Sequence, residues 1–180
     1  AGLEWPMTLP SDYLTYPKRG YGQDIERYAW RQANQRTPLH WPGDKTVAAL
    51  IVIPLEFFMR NPSGKPFKHP GAMVTPYPDL RHYTSRDYGN RVGVFRLLKA
   101  LKVAGLKATF AVNAVLLDKK KPLIEAILAD GHEIAAHGWD TDSIHWGGID
   151  PEVEAAYVAR TRDAFAAAGL NPRTWLSPAR

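Results

Sequence analysis

Four short apolar segments, each followed by a helical pattern or turn that ends on glycine, restrict this chain to a sheet of parallel strands. Residues 46–54 read TVAALIVIP, a continuous β-branched run expected of a strand buried on both faces. Val94, Leu97, Leu98 and Leu101 follow at helical spacing, and Gly105 stands where a helix-terminating glycine belongs. Residues 107–113 (KATFAVN) predict a second strand. Leu123, Ile124, Ile127 and Leu128 predict a second helix closed by Gly131, and residues 132–136 (HEIAA) a third strand. Asp150, Pro151 and Glu152 combine an N-cap acid, a proline at the first helical position and a second acid in the first turn. The helix they start carries Val153, Tyr157 and Phe165 and stops at Gly169, and Thr174, Trp175 and Leu176 begin a fourth strand. Strand–helix alternation with short connections means a parallel sheet with helices outside it, an α/β fold.

In such sheets and barrels, ligands meet the C-terminal ends of the strands. Those ends fall at residues 55–57, 113, 137–140 and 177–180, and they carry Glu56, Asn113, His137, Asp140 and Ser177. Reactive or polar groups thus stand at every strand end. A long proline-punctuated loop, residues 57–86, lies between the first strand and the first helix. Loops of that length in a compact domain are often functional.

Residues 1–45 show no sustained period and are broken by Pro6, Pro10, Pro17, Pro38 and Pro42, so they read as an irregular N-terminal arm. Trp5, Tyr13, Tyr16, Tyr21, Tyr28, Trp30 and Trp41 make the arm too aromatic for a free tail. It is expected to pack on the domain or on a second subunit. The remainder, 46–180, reads as the α/β part. With 45% hydrophobic and 23% charged residues it has the composition of one globular domain with a core.

The absence of cysteine excludes disulfides, thiol nucleophiles and cysteine-ligated zinc. The net charge of +5 comes with no nucleic-acid motif, and Lys99, Lys102, Lys107 and the run 119–121 sit around the ends of predicted helices. They read as a solvated face, and no nucleic-acid partner is expected. No apolar run approaches the roughly 20 residues of a membrane span, and no basic-then-apolar leader is visible. The expectation is a cytoplasmic protein without a membrane partner.

Residues 93–140, GVFRLLKALKVAGLKATFAVNAVLLDKKKPLIEAILADGHEIAAHGWD, resemble the polysaccharide deacetylase (NodB-homology) family through the KATF and GHEIAAHG segments. Residues 86–93 (RDYGNRVG), His137-Gly138-Trp139 and Trp175-Leu176-Ser177-Pro178 look closest to its allantoinase-like and cyclic-imide-hydrolase-like branch. The resemblance covers residues 46–180. It implies the N-terminal half of a seven-stranded (β/α) barrel and a hydrolase of non-peptide C–N bonds. It also implies a site in which an acidic base precedes a metal-binding Asp, with two further metal-binding His separated by three residues. Here Glu56 takes the place of the base, Phe57 that of the Asp, His137 that of the first His and Thr141 that of the second. Leu176 stands where the family usually has an Arg. Zinc generally takes three protein ligands plus water, so no cofactor is expected. The alternative is zinc or another divalent metal held irregularly by His137 with Asp140, Asp142 and His145.

Amide hydrolysis needs an activated water, a stabilised oxyanion and a proton for the leaving nitrogen. Glu56, flanked by Leu55, Phe57 and Phe58, is the candidate base, because an apolar wall favours a carboxyl that takes up a proton. His137 is the candidate for protonating the nitrogen or polarising the carbonyl. The structural alternatives are a Glu56 salt bridge to Arg81, Arg86 or Arg91, and a buried His137 bonded to a backbone carbonyl. Trp139 offers a surface for a flat ring or a core contact, and Arg91 an anion clamp or a helix-start ion pair. Tyr88, His82, Asn113 and Ser177 complete the expected substrate contacts.

The expected function is hydrolysis of a cyclic amide (a ureide, hydantoin or imide) with little or no metal dependence. The alternatives are a metal-dependent polysaccharide or peptidoglycan N-deacetylase and a non-catalytic barrel subunit. An open half-barrel exposes strand edges, so the expected partners besides a small amide are a C-terminal half, as fragment or subunit, and further copies in a homo-oligomer.

Overall fold

The computed structural model describes residues 31–60, 85–145 and 148–178. The chain divides into two compact units, Ala1–Ala48 and Ala49–Arg180. In the first, the described residues form single 3₁₀ turns at Ala33–Gln35 and Pro42–Asp44, with Trp41 partly exposed. The other arm aromatics lie outside the described residues, as does most of the long loop.

The second unit is built on three parallel strands, β1 (Val52–Leu55), β2 (Thr109–Val112) and β3 (Glu133–Ala136), in the order β1-β2-β3. Val52 pairs with Thr109, and Thr109 in turn with Glu133, so the strands end level with one another. Helix α1 (Val94–Ala104) links β1 to β2, α2 (Val115–Lys119) and α3 (Lys121–Ala129) link β2 to β3, and α4 (Pro151–Ala167) follows β3. The expected alternation and parallel sheet are present. The segment before β3 holds two helices rather than one, since Lys120 leaves helical geometry between them.

Two expectations need correction. The first strand is four residues long, and its burial alternates, with Val52 and Pro54 exposed and Leu55 buried. The physical reason is position. Among the described strands β1 is an edge, covered on one side by β2, and an edge tolerates Pro54, which has no N–H to give. Central β2, by contrast, is buried at every residue. The fourth strand shrinks to a single parallel bridge between Ala136 and Trp175.

Apolar residues of β2, β3 and all four helices form one core around Phe110, Leu116, Ile127 and Phe165, each at most 1% exposed. The helix ends follow the sequence signals. Gly105 and Gly131 take positive φ, and the Asp150 carboxylate accepts from the Glu152 N–H at 2.8 Å. Along α4 only Thr161 and Phe165 are fully buried, and Val153 is exposed. Phe165 therefore anchors that helix, and the Thr161 hydroxyl is satisfied by the Tyr157 carbonyl at 2.8 Å. Phe110→Ala, which empties the centre of β2, is expected to cost about 3–5 kcal/mol of stability, read from urea unfolding. A loss below about 1 kcal/mol would show that the core is not organised around β2.

Candidate active site

The site begins where the strands stop. Pairing runs one step past each strand end: the Asn113 N–H donates to the Leu55 carbonyl at 3.0 Å and the His137 N–H to that of Val112 at 2.9 Å. Glu56 and His137 are thereby brought to the same edge of the sheet. Asn113 lies between them, fully buried. Its side-chain carbonyl accepts from the Phe57 N–H at 2.8 Å, and its amide donates to the His137 carbonyl. Every polar atom of the Asn113 side chain named here serves the backbone. It holds the two neighbouring strand ends together rather than facing a ligand.

On the β1 side a second asparagine does similar work. A π-helical turn, Gly89–Gly93, precedes α1 and turns Asn90 inward, where its amide donates to the Glu56 carbonyl at 2.8 Å. The Glu56 side chain is 34% exposed, with one carboxylate oxygen 3.7 Å from His137 Nε2 and the other 3.7 Å from the Arg86 guanidinium. It stands between a guanidinium and an imidazole rather than in an apolar wall. Arg86 itself lies 4.1 Å above the Phe58 ring. A cleft of about 510 Å³ opens here, lined by Glu56, Phe58, Arg86, Tyr88 and Asn90.

His137 is 5% exposed. Its Nδ1 lies 2.8 Å from the Leu176 carbonyl, which can only accept, so Nδ1 carries a proton and Nε2 is the nitrogen turned to Glu56. Burial lowers the His137 pKa, but the nearby Glu56 carboxylate and the Leu176 carbonyl outweigh it. The imidazole ends above its ordinary 6.5. Gly138 follows at φ +66, and a Cβ there would meet Pro178 Cγ at 2.7 Å, so only glycine lets the 176–178 segment close over the histidine.

The remaining candidates are dispersed. Tyr88 lines the cleft, and its hydroxyl accepts from Arg96 at 3.2 Å. Arg91 is engaged with Asp87 one turn earlier, the ion-pair alternative. Trp139 lies under Arg160, 3.6 Å from its ring centre, and lines a separate cavity of about 990 Å³ that reaches neither Glu56 nor His137. Ser177 is exposed next to the histidine-capping segment. His82 lies outside the described residues. Sequence reasoning missed Asn90 as an anchor and the Leu176 carbonyl as the partner of His137. The RDYGNRVG segment contained Asn90, but no spacing rule announces a π turn.

A divalent cation needs several converging donors. Glu56 and His137 converge, but Phe57 offers no donor, and the Thr141 hydroxyl donates to the Phe57 carbonyl at 2.8 Å. The two positions that would complete the family's ligand set are thus tied to each other. Asp140 accepts from the Asp142 and Ser143 N–H groups at 3.0 and 2.8 Å, closing a turn. His145 pairs with Glu154 at 3.1 Å. Among the described residues no three His, Asp or Glu side chains gather to hold a metal, so the irregular set of His137, Asp140, Asp142 and His145 does not assemble. The described residues at the family's ligand positions do not fit its usual cation.

A family model described as polysaccharide deacetylase matches residues 81–180, more than half of the chain. The chain belongs to the polysaccharide deacetylase family. A probable polysaccharide deacetylase from Pseudomonas aeruginosa PAO1 shares 26% identity at a TM-score of 0.62, over 79% of this chain and 51% of that one. A Puue allantoinase superposes at a TM-score of 0.60 with 22% identity, over 82% of this chain and 53% of its own, a likeness of fold. No curated protein matches the sequence significantly. The deacetylase-family chain spans about half the length of these solved relatives, so its sheet corresponds to part of their barrel. Among its described residues no helix is long and apolar enough to cross a membrane.

Because its folded pKa is raised, His137 contributes stability fully below about pH 6.5, and that contribution is lost as pH rises through the folded value. Glu56→Gln is expected to lower the His137 pKa and flatten this pH dependence, followed by NMR titration of the imidazole. An unchanged midpoint would mean that the carboxylate does not act on the ring.

Proposed function

We propose that this deacetylase-family chain contributes the catalytic pair of a hydrolase acting on non-peptide C–N bonds, with a small cyclic amide as substrate. The observation that carries the reading is the Glu56–His137 pair, 3.7 Å apart at the strand ends and locked from behind by Asn113 and Leu176. Glu56 takes a proton from water as the oxygen attacks the amide carbon. His137 acts as the imidazolium that its raised pKa favours: with Nδ1–H committed to Leu176, its Nε2–H donates to the carbonyl oxygen as charge develops there. The proton held by Glu56 then passes to the nitrogen as the C–N bond breaks, so water is added across the bond and both groups return to their starting states. Arg86 on Phe58 supplies a cationic, flat wall for a planar ring. Ureides, hydantoins and imides are planar and carry acceptor oxygens at their edges, which favours them over an N-acetyl sugar.

This reading has no metal-dependent step, in keeping with the donor set. Family membership favours the second reading, a divalent-metal N-deacetylase. Metal analysis of purified protein separates the two: substoichiometric metal with retained hydrolysis supports the first, and stoichiometric zinc, cobalt or nickel required for turnover overturns it. On a panel of hydantoins, imides, ureides and N-acetylated sugars, Glu56→Gln is expected to lower kcat by about 10²-fold or more on a cyclic amide. Hydrolysis unchanged by this substitution would remove Glu56 from the mechanism.

The same proposal includes a cytoplasmic setting, a C-terminal barrel half and a homo-oligomer. The open edge of β1, with Val52 43% exposed, and the half-length match to solved relatives support the missing half. Native mass spectrometry is expected to give a mass above 20.1 kDa, and a stable, active monomer of that mass would count against it.

A further inference from the structure

Besides Glu56 and His137, one more histidine and carboxylate are paired among the described residues of this unit, and the proposed chemistry does not use them. His145 is 8% exposed, its Nδ1 lies 3.1 Å from the Glu154 carboxylate, and its Nε2 is buried without a hydrogen-bond partner. Leaving a buried polar atom unpaired is costly, so a histidine held this way is expected to be fixed by what surrounds it. Its ring stands edge-on to Tyr157 of α4 at 6.1 Å and edge-on to Trp175 at 5.7 Å. A carboxylate accepts and does not donate, so Glu154 fixes the proton on Nδ1 and with it the ring orientation.

What this pair touches matters because of where Trp175 leads. The fourth strand is only a bridge. Ala136 N–H donates to the Thr174 carbonyl and Leu176 N–H to the Ala136 carbonyl, both at 2.9 Å. Two hydrogen bonds at a sheet edge are a weak hold on position, and Trp175 is 40% exposed. Yet the next carbonyl, that of Leu176, lies 2.8 Å from His137 Nδ1 and decides which nitrogen of that ring faces Glu56. Pro178 against Gly138 steadies the segment on one side, and the His145 ring steadies it on the other.

We propose that His145 and Glu154 are positioning residues. They hold Trp175 against α4, and the Leu176 carbonyl thereby keeps His137 in the Nδ1-protonated tautomer. The contact path runs from the first turn of α4 through His145 and Trp175 to Leu176 and ends at His137 Nδ1. Its catalytic consequence rests on the function proposed above, whereas its structural consequence does not.

The test reads the tautomer directly. In full-length protein labelled with ¹⁵N-histidine, at a pH above the His137 titration, the wild type is expected to show the Nδ1–H form of His137. Glu154→Ala and His145→Gln should raise the Nε2–H population several-fold, and Glu154→Gln, which keeps an acceptor oxygen, should restore the wild-type pattern. On a cyclic amide that is turned over, Glu154→Ala should lower kcat about tenfold with KM little changed. Glu154 is half-exposed, so its substitution reports even if His145→Gln fails to fold, with far-UV circular dichroism as the check. A folded Glu154→Ala protein with an unaltered His137 tautomer overturns the proposal. A shifted tautomer in a protein that hydrolyses nothing supports the positioning role and defeats the functional reading instead.

Discussion

The arrangement depends on one buried side chain. Asn113 ends the central strand, fully shielded from water, and spends its amide on the backbone of both neighbours, Phe57 on one side and His137 on the other. Parallel strands have no hairpins to set their ends level, so the stagger of β1 against β3 has to be fixed across β2. A buried amide does this well because each unmet partner would cost about 1–3 kcal/mol. Phe57 and His137 are adjacent to, or identical with, the candidate catalytic residues. The clamp that levels the sheet therefore also sets the separation of Glu56 and His137.

Around that clamp the electrostatics are asymmetric. Glu56 is shared between Arg86 and His137, both at 3.7 Å, while His137 is divided between a carboxylate in front and the Leu176 carbonyl behind. This makes His137 a better proton holder than its burial alone would allow. The positions that would hold a cation in the polysaccharide deacetylase pattern are closed on each other, Thr141 donating to the Phe57 carbonyl. A backbone tie stands there in place of side-chain donors, beside the carboxylate and imidazole of the proposed catalytic pair.

Much of this was legible in the residues. The helix-ending glycines, the Asp150-Pro151-Glu152 start and the KATF and GHEIAAHG segments located the elements and the family, since capping and burial patterns are local properties of sequence. Glu56 and His137 were legible as strand-end residues because topology places such ends together. Other features were not. Whether Asn113 faces a ligand or the backbone depends on hydrogen bonds to residues 56 and 24 positions away in the chain, and the π turn that aims Asn90 has no spacing signature. Trp139 illustrates the limit: it follows His137 by two residues, yet it lines another cavity because Gly138, at positive φ, redirects the chain between them.

By itself, then, the sequence determined the parallel α/β plan, the family and the placement of Glu56 and His137 at strand ends. Short-range patterns carry those, because they record which faces are buried and where helices start and stop. Only the tertiary structure decided that β1 is a half-exposed edge among the described strands, that the fourth strand is a bare bridge and that Glu56 lies between Arg86 and His137. It also decided that Asn113, His145 and Leu176 act on the site from behind. These are properties of groups far apart in the chain, and their distances are set by packing and hydrogen bonding rather than by any local preference.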